Sequence, residues 1–120
     1  MAQRVLVVDD DANVLKLFSR ILSNGGYTVR FVASGGETLR ALETDGPFDL
    51  LVLDLCMPKP DGLEVLRQVH AQYPGLRILV VSGYLEGALL PASEFLGATA
   101  TLMKSQAPEL LLSTVRNLLQ

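Results

Sequence analysis

The sequence predicts an α/β fold in which a parallel sheet alternates with helices, and three observations support it. Apolar runs of strand length alternate with segments whose apolar residues recur every three or four positions, which is typical of repeated βα units. The runs 5–8 and 50–53 are uninterrupted, as in strands buried on both faces. Both runs stop at an acid, Asp9 and Asp54, so the carboxyl ends of two buried strands carry negative charge.

The predicted strands lie at 4–8, 27–32, 48–53, 76–81 and 99–103. The first helix follows the acids and ends at Asn24-Gly25-Gly26, because glycine after the last turn is a common helix stop. We assign Asp11 to the N-cap of this helix rather than to a ligand role. The helix is expected to bury Val14, Leu15, Leu17, Phe18, Ile21 and Leu22.

The second helix is expected at about 35–45, and the third begins at Asp61, which forms a capping box with Glu64. The third helix should face the sheet with Leu63, Leu66, Val69 and Tyr73. Glycines and Pro91 predict a short fourth helix at about 91–96.

The fifth helix has Pro108 in its first turn and carries a wide apolar stripe. The stripe comprises Leu110, Leu111, Leu112, Val115, Leu118 and Leu119. Contact with a partner and additional core packing both remain open as its explanation.

Length and charge restrict the class of protein. The chain of 120 residues is expected to form a single domain spanning 1–120. Lys and Arg number 10 against 13 Asp and Glu, and there is no basic stripe, so direct binding to nucleic acid is not expected.

The single cysteine, Cys56, excludes an internal disulfide, and the amino terminus leads into a strand rather than a signal peptide. No apolar run approaches the roughly 20 residues of a membrane span. A cytoplasmic location without membrane attachment is therefore expected. A stand-alone protein and a part of a longer regulator both remain open.

The acids after the first and third strands should meet, because the carboxyl ends of parallel strands share one edge of the sheet. Like charges gathered there repel each other and resist desolvation, so they require a bound cation or a proton held at raised pKa. Mg²⁺, a hard cation that prefers oxygen ligands, is the simplest answer.

Polar residues at four strand ends, with the motifs around them, identify a family. The motifs are Val-Val-Asp-Asp at 7–10, Asp-Leu-x-Met-Pro-x-x-Asp-Gly at 54–62, Val-Val-Ser-Gly at 80–83, Gly-Ala at 97–98, and Lys104. In this order they resemble the receiver domain of bacterial two-component response regulators, and the resemblance covers essentially the whole chain.

The resemblance implies a flavodoxin-like, doubly wound five-stranded parallel sheet in the order 2-1-3-4-5 with helices on both faces. It also implies that Asp54 accepts a phosphoryl group from a kinase phosphohistidine, so that the protein is a phosphoacceptor switch rather than an enzyme. Such a switch would catalyse its own phosphorylation and also its own dephosphorylation, which is slow.

The resemblance further implies which residues form the site. Mg²⁺ would be held by Asp10 and Asp54, by Asp9 directly or through water, and by the backbone carbonyl of Cys56. Lys104 and Ser82 would contact phosphate oxygens, and movement of Ser82 would report the modification.

The partners implied are a sensor histidine kinase or a phosphotransfer protein. An output domain or a second copy would bind the face made by the fourth helix, fifth strand and fifth helix.

Two positions depart from the family pattern. Thr101 stands where the family usually has an aromatic residue, so the readout must differ or use the loop before the fourth helix alone. Ser105 stands where a cis-bonded proline usually follows the lysine, so we expect a trans bond with a rebuilt loop or a strained cis bond. His70 is expected on the solvent side of the third helix, without a catalytic role.

Two other functions compete with the switch. A receiver-like interaction module that acts without phosphorylation would explain the departures at Thr101 and Ser105, but not the intact acids and Lys104. A Mg²⁺-dependent phosphatase would normally have a second acid two residues after the nucleophile, where this chain has Cys56.

Overall fold

The computed structural model describes residues 2–55, 57, 62–83 and 90–120. The strands are β1 (Arg4–Val8), β2 (Thr28–Val32), β3 (Leu50–Asp54), β4 (Arg77–Ser82) and β5 (Ala100–Met103). The helices are α1 (Ala12–Asn24), α2 (Gly35–Thr44), α3 (Gly62–Gln72), α4 (Leu90–Phe95) and α5 (Ala107–Leu119). Strands and helices alternate, as the sequence predicts.

Within the described residues the strands form a five-stranded sheet in the order β2-β1-β3-β4-β5, and every neighbouring pair is parallel. The predicted fold class and strand order are therefore confirmed. The order places β3 at the centre, with β1 on one side and β4 on the other. The residues that follow β1, β3 and β4 consequently meet at one edge of the sheet.

The core has one cluster of buried side chains on each face of the sheet. Val5 and Val7 of β1 point to the face covered by α1 and α5, whereas Leu6 and Val8 point to the face covered by α2 and α3. Residues 5–8 of the strand are buried because both of its faces are covered. This arrangement explains why its sequence is a continuous apolar run rather than an alternating one.

The edge strands are less buried than the central ones. In β2 Val32 is buried, whereas Phe31 is 51% exposed. In β5 Leu102 is buried and its neighbours are partly exposed. The absence of one neighbouring strand at each edge explains the lower burial, and β2 also contains the polar residues Thr28 and Arg30.

Most element boundaries agree with the prediction to within two residues. Asp54 and Ser82 are the last residues of β3 and β4. The short fourth helix is confirmed, with Pro91 in its first turn. Leu17 was expected to be buried in α1, but it is 40% exposed, because the buried side of the helix is formed by Leu15, Phe18 and Leu22.

Two residues used in the sequence analysis, Cys56 and Asp61, lie outside the described residues. The predicted carbonyl ligand and the predicted capping aspartate therefore stay predictions. No helix among the described residues has the length and apolar character needed to cross a membrane.

Candidate functional site

Asp54 is the central residue of the site. It ends β3, the middle strand, and 1% of its surface is exposed. Its neighbour strand β1 leads directly into Asp9, which is also 1% exposed. Two carboxylates from separate parts of the chain are thus buried side by side because β1 and β3 are paired.

The backbone around Asp9 holds its side chain in place. The Asp9 N–H donates to the carbonyl of Val32 at 3.3 Å, which ties the residue to the end of β2. Asp9 Oδ1 accepts from the N–H of Asp11 at 2.9 Å. The other oxygen, Oδ2, faces Lys104.

Asp11 caps α1, as predicted. Its side chain accepts from the N–H of Asn13 at 2.8 Å, and its backbone is extended, which is typical of an N-cap residue. Among the three consecutive aspartates, Asp11 therefore has a structural role in the helix start.

Asp9, Asp10 and Asp54 each offer one oxygen, and these oxygens all lie within 4.8 Å of one another. Asp10 is exposed, whereas the other two are buried. The cluster is therefore open to solvent on one side, where a cation can enter with part of its water shell. Oxygen ligands at this spacing suit a hard divalent ion such as Mg²⁺.

Lys104 follows β5 and reaches the same cluster. Its Nζ lies 2.9 Å from Asp9 Oδ2 and 3.4 Å from Asp54 Oδ2, and 27% of its side chain is exposed. Burial by itself would lower the pKa of the ammonium. The hydrogen bond to Asp9 and the charges of Asp54 and Asp9 together outweigh burial, so the pKa of Lys104 is raised above its ordinary value. Lys104 is therefore protonated at neutral pH.

The charges of these four groups do not balance. Three carboxylates face one ammonium, so negative charge remains in excess at a largely buried edge. Gathering like charges without compensation is costly in a medium of low dielectric constant. The donor set and its excess charge both fit a divalent cation.

Ser82 ends β4, next to β3, and is completely buried. Its hydroxyl donates to the thioether sulfur of Met103 at 3.8 Å. The two residues are direct partners in the pairing of β4 with β5. The hydroxyl at the site edge is thus engaged with the neighbouring strand.

The segment after β5 differs from the family pattern in the way the sequence suggests. Lys104 and Ser105 are joined by a trans peptide bond, and a 3-10 turn over Lys104–Gln106 leads into α5. This is the trans alternative of the prediction. Thr101 pairs with Val80 and is partly buried.

The start of α3 packs tightly beneath the site. A Cβ atom at Gly62 would come within 3.0 Å of the backbone of Leu55 and of the Asp54 carbonyl oxygen. The Gly62 N–H also donates to the carbonyl of Leu55 at 3.3 Å. Glycine at this position allows the helix to approach the residue that follows the central carboxylate.

Sequence reasoning missed two contacts. The first is the role of Met103 as acceptor for Ser82, which the register of β4 and β5 could have suggested. The second involves His70, which is exposed as expected but whose ring lies against Gly97, a residue with φ of +118°. Neither contact has a local sequence signal, since both join residues of different elements.

An apolar pocket of about 310 Å³ lies at the other edge of the sheet, before β3 and β4. It is lined by Leu42, Pro47, Phe48, Tyr73, Gly75 and Leu76. It is remote from the carboxylates and shares no residue with them.

Comparisons with known proteins support the fold and identify the family. The family model described as response regulator receiver domain matches residues 5–116. The response regulator MprA of Mycobacterium ulcerans is 42% identical over 120 residues, which are 100% of this chain and 51% of the relative. The chain thus spans about half the length of the curated relatives it matches.

Solved structures show the same fold. A CheY-like response regulator receiver domain protein from Methanospirillum hungatei superposes with a TM-score of 0.92 at 34% identity, covering 99% of this chain and 94% of that one. The chemotaxis response regulator CheY4 of Vibrio cholerae gives a TM-score of 0.89 at 30% identity, covering 99% and 100%.

Proposed function

The chain belongs to the response regulator receiver domain family, and on that premise we propose that it accepts a phosphoryl group on Asp54 from the phosphohistidine of a partner kinase or phosphotransfer protein. The observation that carries this proposal is the convergence of Asp54, Asp9, Asp10 and Lys104 at one edge of the sheet. Transfer of a phosphoryl group requires chiefly a positioned nucleophile and neutralised charge, and this cluster offers both.

In the proposed reaction, a carboxylate oxygen of Asp54 forms a bond to phosphorus. The bond between phosphorus and the histidine nitrogen breaks, and its electron pair stays on the imidazole. The burial of Asp54 at the end of a central strand limits the freedom of its side chain, which helps to position the nucleophile.

Asp9, Asp10 and Asp54 would hold Mg²⁺, with Cys56 expected to add its backbone carbonyl. The ion supplies charge neutralisation at the oxygens of the transferred group. Asp10 is the exposed member of the set, so it lies on the side from which the ion and the phosphodonor approach.

Lys104 neutralises charge from the other side. Its ammonium lies 3.4 Å from Asp54 before transfer and is held there by Asp9 at 2.9 Å. A short movement would bring it to a phosphate oxygen on Asp54, where a charge-assisted hydrogen bond forms. Because its pKa is raised, the ammonium keeps its proton throughout.

The modified state would then be reported by Ser82, whose hydroxyl turns to another phosphate oxygen. Movement at the end of β4 would change the surface formed by α4, β5 and α5. An output domain or a second copy that binds this surface would sense the modification.

The experiment is intact mass after incubation with acetyl phosphate. The unchanged chain should gain about one phosphoryl group per molecule, in a reaction that requires Mg²⁺ and is lost in Asp54→Asn. The matched control is Asp49→Asn, an exposed aspartate just before β3 at its opposite end. Absence of any gain in the folded, Mg²⁺-bound chain would favour the phosphorylation-independent interaction module instead.

A further inference from the structure

The hydroxyl of Ser82 is not free to rotate at random, because it already has an acceptor in this structure. Ser82 Oγ donates to Met103 Sδ at 3.8 Å, and the serine is completely buried. A buried hydroxyl that loses its acceptor pays the cost of desolvation without compensation. The thioether therefore stabilises the present orientation of the hydroxyl.

The sheet register makes this contact a property of the fold. Ser82 and Met103 are paired residues of β4 and β5, as are Val80 and Thr101 two positions earlier. Side chains two apart on a strand point to the same face, so Thr101 lies beside Met103. Thr101 is small, and the flexible side chain of Met103 beside it reaches Ser82.

The acceptor is also weak. A thioether sulfur accepts hydrogen bonds less strongly than a carbonyl or carboxylate oxygen does. It can satisfy a buried hydroxyl and still release it when a charged phosphate oxygen becomes available nearby, since hydrogen bonds to ionised acceptors are about twice as strong.

Met103 directly precedes Lys104, the residue that contacts Asp54. The end of β5 thus supplies two groups in succession: an acceptor for the resting hydroxyl of Ser82 and a cation for the acid that becomes modified. Both groups are carried by the same strand end and are positioned together.

We propose that Met103 is a positioning residue whose thioether is the resting acceptor of the Ser82 hydroxyl and sets how readily that hydroxyl turns to a phosphoryl group on Asp54. This inference rests on the proposed function for the modified state, whereas the resting contact stands on the geometry alone. It gives β5 a role in the switch although Thr101 replaces the usual aromatic residue.

The test uses the full chain and beryllofluoride with Mg²⁺, a phosphoryl analogue that binds carboxylates at equilibrium. Met103→Leu removes the acceptor at similar volume, so binding should tighten by about two- to fivefold, the factor expected for a weak hydrogen bond. Met103→Gln supplies a stronger amide acceptor, so binding should weaken. Leu102→Met, on the other face of β5, is the control and should leave affinity unchanged.

Repeating both substitutions in the Ser82→Ala background distinguishes an effect that acts through the Ser82 hydroxyl from a merely structural role of Met103. Without the hydroxyl, Met103→Leu and Met103→Gln should have no effect on beryllofluoride affinity. Effects on affinity that persist in Ser82→Ala would overturn the proposal. So would a change of affinity in the same direction for Met103→Leu and Met103→Gln.

The resting contact is tested separately by urea unfolding without a phosphoryl analogue. The Ser82→Ala and Met103→Leu double-mutant cycle should show a coupling equivalent to about a two- to fivefold change in the folding equilibrium constant. Additive effects would overturn the contact. If the cycle shows coupling but the unchanged chain binds no beryllofluoride, the proposed function fails, and the role of Met103 in switching fails with it.

Discussion

Lys104 lies closer to Asp9 than to Asp54, at 2.9 Å against 3.4 Å. The acid proposed to be modified is therefore not the principal partner of the ammonium in the unmodified chain. Asp9 thus holds the cation next to Asp54. This relationship determines how the site should respond to loss of the lysine, to pH and to metal.

Replacing Lys104 by methionine should destabilise the metal-free chain. The change leaves two buried carboxylates facing each other without the ammonium, and we expect a loss of about 2–3 kcal/mol in the free energy of unfolding, somewhat below the value for a fully buried pair. Urea unfolding measures it. Adding Mg²⁺ should recover part of the loss. Lys16→Met, at an exposed position of α1, is the control; equal stability of the two variants would contradict the prediction.

The contribution of Lys104 to stability should depend on pH only in the alkaline range. Because its pKa is raised in the folded chain, its contribution is fully present below the ordinary lysine pKa and is lost as pH rises through the folded value. The difference in unfolding free energy between the unchanged chain and Lys104→Met should thus stay constant from about pH 7 to about pH 10 and shrink above that. A difference that does not shrink above about pH 10 would show that the pKa is not raised in the folded chain.

Asp10 and Asp11 are adjacent, but their substitution should have different effects on the stabilisation of the chain by Mg²⁺. Asp10→Ala should leave metal-free stability unchanged or slightly higher, because a like charge is removed, and should abolish most of the stabilisation by Mg²⁺. That stabilisation is about 1.4 kcal/mol when the free Mg²⁺ concentration is ten times its dissociation constant. Thermal unfolding with and without Mg²⁺ measures both quantities.

Asp11→Ala should instead cost about 1 kcal/mol with or without Mg²⁺, because the N-cap hydrogen bond to Asn13 is lost. Asp11→Asn keeps a capping side chain and should remain near the unchanged chain. A loss of Mg²⁺ stabilisation in Asp11→Asn as large as in Asp10→Ala would assign Asp11 to the metal site.

Two helical glycines offer a matched test of packing below the site. Gly62→Ala should lower the free energy of unfolding by about 1–3 kcal/mol, because the added methyl group meets the backbone of Asp54 and Leu55. Gly36→Ala in α2 meets no atom within 4 Å and should stabilise the chain by about 0.5 kcal/mol. Chemical denaturation distinguishes the two; equal changes would mean that α3 does not approach the strand end closely.

Much of the site could be predicted from the sequence because its signals are local. An apolar run that stops at acid identifies both a buried strand and the end that carries charge, as β1 with Asp9 and β3 with Asp54 show. Parallel pairing then brings those ends together whatever the details of packing. The N-cap role of Asp11 is equally local, since it depends on the next two residues of the chain.

The exposure of Leu17 could not be predicted in the same way. The periodicity of α1 includes Leu17 in an apolar stripe, but the width of the stripe that is covered depends on where the sheet and α5 lie. Likewise, β5 is mostly apolar, and the strand order decides that it lies at an edge where only Leu102 is buried.

The sequence by itself determined the alternation of strands and helices, the strand ends that carry Asp9, Asp54, Ser82 and Lys104, and the family. The tertiary structure alone decided that Lys104 pairs more closely with Asp9 and that the Ser82 hydroxyl donates to Met103. Local patterns specify elements because backbone geometry repeats over a few residues. Contacts between the ends of different strands depend on strand order and register, which only the packed sheet establishes.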